Sequence, residues 1–97
     1  MKAYELLFIV APTIDDETRA GVMKRIEATL AEGKGQVDNV DEWGKRKLAY
    51  EIDGLTDGDY TLIDFHADPQ NIAELDRVLR ITDAVVRHMI VARTDRD

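Results

Sequence analysis

The chain has no cysteine and no serine among its 97 residues, and only two prolines, two histidines and one tryptophan. Without cysteine there is no disulfide framework, no thiolate chemistry and no cysteine-ligated zinc. Without serine the Ser–His–Asp class of hydrolase is excluded. No apolar run approaches the roughly 20 residues that span a bilayer. The opening Met1-Lys2-Ala3-Tyr4-Glu5 does not read as a signal peptide, because Glu5 interrupts it and no small-residue cleavage site follows. Cations are the minority: 13 Lys and Arg stand against 20 Asp and Glu, for a formal charge of −7. Such a field repels phosphate and argues against autonomous nucleic-acid binding. What is present is 44% hydrophobic and 34% charged residues, spread evenly enough to exclude disorder. A chain of this length buries roughly 60–65% of its unfolded surface. The expectation is one small, soluble, intracellular domain over residues 1–97.

Residues 3–11 are apolar at both parities and read as a central strand, with Tyr4, Leu6, Phe8 and Val10 on one face and Leu7 and Ile9 on the other. Residues 15–32 change period: Val22, Ile26 and Leu30 recur every four residues, with Met23 beside them, as in an amphipathic helix. Asp15, Asp16 and Glu17 suit its first turn, where unpaired amides and the dipole favour anions. Gly33 and Gly35 suit its stop. Residues 36–53 form the longest extended segment, with Trp43-Gly44 as a bend or bulge and Leu48, Tyr50 and Ile52 alternating. Asp53-Gly54 and Asp57-Gly58 are turn signals for a hairpin, and 59–67 is a strand by composition. Asp68 caps the next helix with Pro69 in its first turn; Ile72, Leu75 and Leu79 give it one apolar stripe. Residues 84–92 read as a last strand and 93–97 as a short polar tail.

The order β-α-β-β-α-β is the α+β, ferredoxin-like arrangement: a four-stranded antiparallel sheet of order 4-1-3-2 with both helices on one face. Leu6, Phe8, Val10, Ile63 and Phe65 should meet Val22, Ile26, Leu30, Leu75 and Leu79. The other face should carry Leu7, Ile9 and Leu62. A second apolar face on a sheet covered on one side implies a partner over part of it.

The stretch Trp43-Gly44-Lys45-Arg46-Lys47-Leu48-Ala49-Tyr50-Glu51-Ile52 resembles the signature of the bacterial small-subunit ribosomal protein S-six family. Tyr4-Glu5, Pro12, Gly58-Asp59-Tyr60, Leu79-Arg80-Ile81-Thr82-Asp83 and Val86-Arg87-His88-Met89 match in order, so the resemblance covers residues 2–93. One position departs: the family usually has proline where this chain has Glu51. Some relatives also carry long acidic tails that this chain lacks. The resemblance implies a structural subunit of the small ribosomal subunit, cytoplasmic in the ribosome, with no enzymatic activity and no cofactor. It implies binding to the central domain of the small-subunit rRNA together with a small basic partner, ribosomal protein S-eighteen.

The charge distribution is consistent with that reading. Residues 44–52 carry a net +2 and residues 77–93 a net +3, against −3 over residues 38–42. An acidic surface attracts a basic protein and steers the encounter, and the partner would cancel the field that repels RNA. Lys2, Lys45, Arg46, Lys47, Arg80, Arg87 and Arg93 are the candidate RNA contacts. Tyr4, Leu7, Ile9, Trp43, Tyr60, Leu62, Met89 and Val91 are the candidates for the protein interface, where Met, Arg and aromatics are enriched. Each has a plainer reading: edge lysines resist aggregation, a lone Trp is usually a packing residue, and Tyr50 and Tyr60 suit a wet strand edge. Asp64 and His66 share a strand face, but a pair of ligands makes a weak metal site. Gly33-Lys34-Gly35 lacks the spacing of a phosphate loop.

Fold alone does not choose the function. A regulatory ligand-binding domain that self-associates through its open sheet face is the alternative. An RNA-recognition module needs a basic start and a second glycine in its third strand, and Gly58-Asp59-Tyr60-Thr61-Leu62-Ile63-Asp64-Phe65 lacks both. An acyl-phosphate hydrolase needs an arginine after the first strand, and the loop Ala11–Asp16 has none. The family resemblance decides for the ribosomal reading.

Overall fold

Alternation along the first strand decides the layering. In the computed structural model, which describes residues 1–52 and 54–96 apart from the side chains of Ala49 and Ile52, β1 runs Lys2–Val10 and its even residues Leu6, Phe8 and Val10 are fully buried. They face α1 (Asp16–Glu32) and α2 (Ile72–Arg80). With Ile63, Phe65 and Ala67 of β3 (Leu55–Ala67), and with Val22, Ile26, Leu30, Leu75 and Leu79 of the helices, they form the core. The expected helix-facing set is therefore the one observed. β2 (Gln36–Ile52) and β4 (Val85–Ala92) complete a sheet of order β2-β3-β1-β4, which read from the other edge is 4-1-3-2. All neighbouring pairs are antiparallel.

Capping follows the sequence at the start of α1 and departs from it at the end. The Asp15 carboxylate accepts the Thr18 amide at 2.8 Å, and that bond holds the Asp15 carboxyl below its ordinary value. At the C-terminus the Gly35 amide reaches back to the Leu30 carbonyl at 2.7 Å and the Lys34 amide to Ala31 at 3.0 Å. This is a Schellman closure, whose left-handed residue is usually glycine. Here that residue is Lys34, with φ 63°, flanked by the glycines expected to fill the role. Space matters at the glycines instead: a Cβ on Gly35 would press on the His66 carbonyl oxygen, and one on Gly33 would displace the Asn71 side-chain amide. Asp68 caps the second helical segment through the Gln70 amide, with Pro69 opening a 3-10 turn before α2.

The β2–β3 hairpin is longer than the sequence signals suggested. Asp57-Gly58, expected as a turn, lies inside β3, opposite Lys47 and Arg46. Glycine is needed there because a Cβ on Gly58 would strike the Cγ2 of Ile9 and crowd Leu48. Gly54 has φ 80°; Asp53, expected beside it in the turn, lies outside the described residues. The expected bulge at Trp43-Gly44 is present: the ladder passes from Glu42 to Gly44, and Gly44 takes φ 79°. Further breaks in register follow Val37 and Lys47, and Ile52 next pairs with Leu55, so the extended segment expected over Leu48, Tyr50 and Ile52 belongs to β2.

Candidate ribonucleoprotein interface

The sheet face away from the helices carries the odd residues of β1. On it Leu7 and Leu62 are cross-strand partners, with Met89 of β4 opposite Leu7 on the other side. The bulge places Trp43 on the same face, stacked on Tyr60 at 6.1 Å between centroids and 7° between planes. The Trp43 indole N–H donates to Asp41 at 3.3 Å, which fixes the ring. Glu5, Leu7, Trp43, Leu62, Met89 and Val91 line a depression of about 240 Å³. Trp43 is 39% exposed, Val91 41% and Met89 55%. Apolar side chains so exposed beside a half-buried floor make a patch suited to a partner.

Two of the expected interface residues do not belong to this patch. Tyr4 points to the helix side, stacked on Phe65 at 5.6 Å and packed against the core. Its parity with Leu6 and Phe8 dictates that. Ile9 has the right parity but is only 7% exposed, because the hairpin passes over it at Gly58. Leu7, Trp43, Tyr60, Leu62, Met89 and Val91 stay together.

The hairpin arm also creates a contact that the sequence did not announce. β2 and β4 are opposite edges of the sheet, yet Arg87 Nη1 donates to the Tyr50 hydroxyl at 2.7 Å and the guanidinium lies 5.5 Å from the Tyr50 ring centroid. The arm therefore curls across the open face. That contact leaves Arg87 its charge. Arg80 and Arg87 both border a second depression, of about 530 Å³, along the β4 edge with Leu79, Val86 and Met89.

The expected RNA contacts are not gathered into one cluster. Lys45, Arg46 and Lys47 sit exposed on the hairpin arm, and none of them has an ion-pair partner among the described residues. Register puts Lys45 and Lys47 on the helix side and Arg46 on the open side, as alternation required. Lys2 is exposed at the start of β1. Arg80 pairs with Asp76, whose other oxygen meets His88 Nε2 at 2.6 Å. Those partners, His88 first and then Arg80, hold the Asp76 carboxyl below its ordinary value. Arg93 pairs with Glu5 and with Asp95, so, like Arg80, it shares its charge with carboxylates of the chain. His66 accepts a structural role, its Nδ1 lying 2.5 Å from Asp38. Among the described residues no group of three or more His, Asp or Glu is placed to hold a metal ion, and no helix is long and apolar enough to cross a membrane.

Comparison with known proteins agrees with this arrangement. The chain is 50% identical over 91 residues to the small ribosomal subunit protein bS6 of Clostridium beijerinckii, covering 94% of this chain and 96% of that one. It is 52% identical over 91 residues to the bS6 of Clostridium kluyveri, with the same coverage. It is similar to the crystal structure of 30S ribosomal protein S6 from Thermotoga maritima, with a TM-score of 0.88 and 39% identity over 97% of this chain and 89% of that one. The C-terminal domain of MgtC from Mycobacterium tuberculosis, at a TM-score of 0.64 and 11% identity, shares the fold alone. The bS6 relatives are structural ribosomal proteins and not enzymes. With residues 3–92 matched by the model of the ribosomal protein S6 family, the chain belongs to that family.

Proposed function

We propose that this protein, a ribosomal protein S6 of the small subunit, binds the central domain of the small-subunit rRNA jointly with the basic ribosomal protein S-eighteen. The observation that carries the reading is the division of the surface. The open sheet face presents an apolar patch around Leu7, Trp43, Leu62, Met89 and Val91. The exposed cations without a carboxylate partner among the described residues lie at its margins, Lys45, Arg46 and Lys47 on the hairpin arm and Arg87 on β4, two residues from Met89. A chain of charge −7 approaches phosphate poorly alone, and a basic protein on the patch removes the opposing field. The patch and the cations are thus complementary parts of one assembly step.

Binding to a central-domain rRNA fragment, measured by filter retention across a salt series with and without the basic partner, tests this. Tight, salt-sensitive retention only with the partner is the expected result, and its slope bounds the phosphates neutralised. Equal retention by this chain alone would remove the joint mechanism. No retention in either case, with a homodimer in sedimentation, would favour the self-associating ligand-binding alternative.

A further inference from the structure

Glu5 and Asp64 are direct cross-strand partners on the two central strands. Their side chains are only 19% and 28% exposed. Carboxylates opposed in this way repel one another, and partial burial deepens the cost unless a cation lies between them. The chain supplies that cation from its own C-terminus. After β4 the Arg93 amide donates to the Ala3 carbonyl at 2.8 Å, and the turn Thr94–Arg96 lies against β1. Arg93 reaches Glu5, and Arg96 Nη1 bridges Glu5 at 3.1 Å and Asp64 at 2.7 Å. Glu5 is also a wall of the apolar depression formed by Leu7, Trp43, Leu62, Met89 and Val91. A protein that covers that depression meets the same carboxylate the C-terminal arginines hold.

We propose that the segment Arg93–Arg96 is an intramolecular competitor on the open face, holding Glu5 and Asp64 until an arginine-bearing segment of the basic protein partner displaces it. The inference rests on the open face being the partner's seat. The occupant is specified by what is there now: a short basic segment whose guanidinium bridges two carboxylates. Exchange of one guanidinium for another conserves the charge pairing, so the pair never has to be left without a cation. The competitor makes the end of the face selective for a cationic segment and unreceptive to an apolar one.

The experiment is calorimetric titration of the intact chain with the small basic protein partner, with amide exchange at Arg93 followed in the free chain and in the complex. Arg96→Gln is expected to bind about two- to fivefold more tightly than the parent, the range an exposed ion pair supports. Arg96→Lys should behave like the parent, and Asp64→Asn should bind more weakly. Protection of the Arg93 amide should fall in the complex. Unchanged or weaker binding by Arg96→Gln, or Arg93 protection that persists in the complex, overturns the competitor. If in that case Trp43→Ala still abolishes binding, the reading of the open face survives. If the partner binds none of the variants or the parent, the open-face reading falls and the competitor with it.

Discussion

At the scale of single residues, backbone conformation and ion pairing give predictions with opposite signs. Lys34 holds the left-handed position of the α1 closure at φ 63°, where a side chain costs about 1–2 kcal/mol relative to glycine. Glycine's larger unfolded-state entropy returns part of that. Lys34→Gly should therefore raise stability by about 0.5–1 kcal/mol in urea unfolding. Asp76 acts in the other direction. Its carboxyl lies below its ordinary value because His88 and Arg80 favour the charged form. A depressed folded value means the stabilisation is complete above the unfolded value near pH 4 and is lost as pH falls through the lower folded one. Asp76→Asn should cost about 0.5–1 kcal/mol at neutral pH, modest because the pair is open to water. The gap in Tm between parent and variant should narrow as pH falls below the ordinary carboxylate value near 4. Glu51, where the family usually has proline, falls within the register break of β2 between Lys47 and Ile52, and an edge strand at a bulge is where a sheet tolerates proline.

At the scale of elements, the β2–β3 hairpin is what separates this sheet from a plain ferredoxin-like one. Its bulge at Trp43-Gly44 was legible because a glycine after an aromatic interrupts an otherwise extended run. The consequence of the bulge was not legible, since it depends on how three register breaks add to the twist of a long arm. A Cβ on Gly44 meets nothing within 4 Å, so replacement is penalised by its φ of 79° alone. Gly44→Ala should cost about 1–2 kcal/mol. It should also change Trp43 fluorescence, because the same bulge stacks that ring on Tyr60. A stability loss with unchanged emission would mean that the stack does not depend on the bulge.

At the scale of the whole molecule, charge is sorted by neutralisation inside the chain and not by composition. Arg19, Arg77, Arg80, Arg93 and Arg96 all have carboxylate partners, whereas the hairpin cations Lys45, Arg46 and Lys47 have none among the described residues. Replacing all three with glutamine should weaken rRNA binding by the joint complex uniformly across RNA sequences. The log–log salt slope should fall by about 2–3. Folding should be untouched, because these side chains are exposed. An unchanged slope would assign the phosphate contacts to the partner alone.

The sequence by itself determined the elements, their order and the helix-facing core. The reason is that apolar periodicity is local: Leu6, Phe8 and Val10, or Val22, Ile26 and Leu30, declare a buried face without knowledge of what covers it. Together with the signature around Trp43-Gly44-Lys45-Arg46-Lys47 it also pointed to the family. Tertiary structure alone decided which open-face residues remain available. Ile9 is covered by the arm, and Arg87 meets Tyr50 across 37 residues of chain. Arg93 is spent on Glu5 across 88 residues. Such pairings follow from register and strand twist summed over the whole sheet, and no window of sequence contains them.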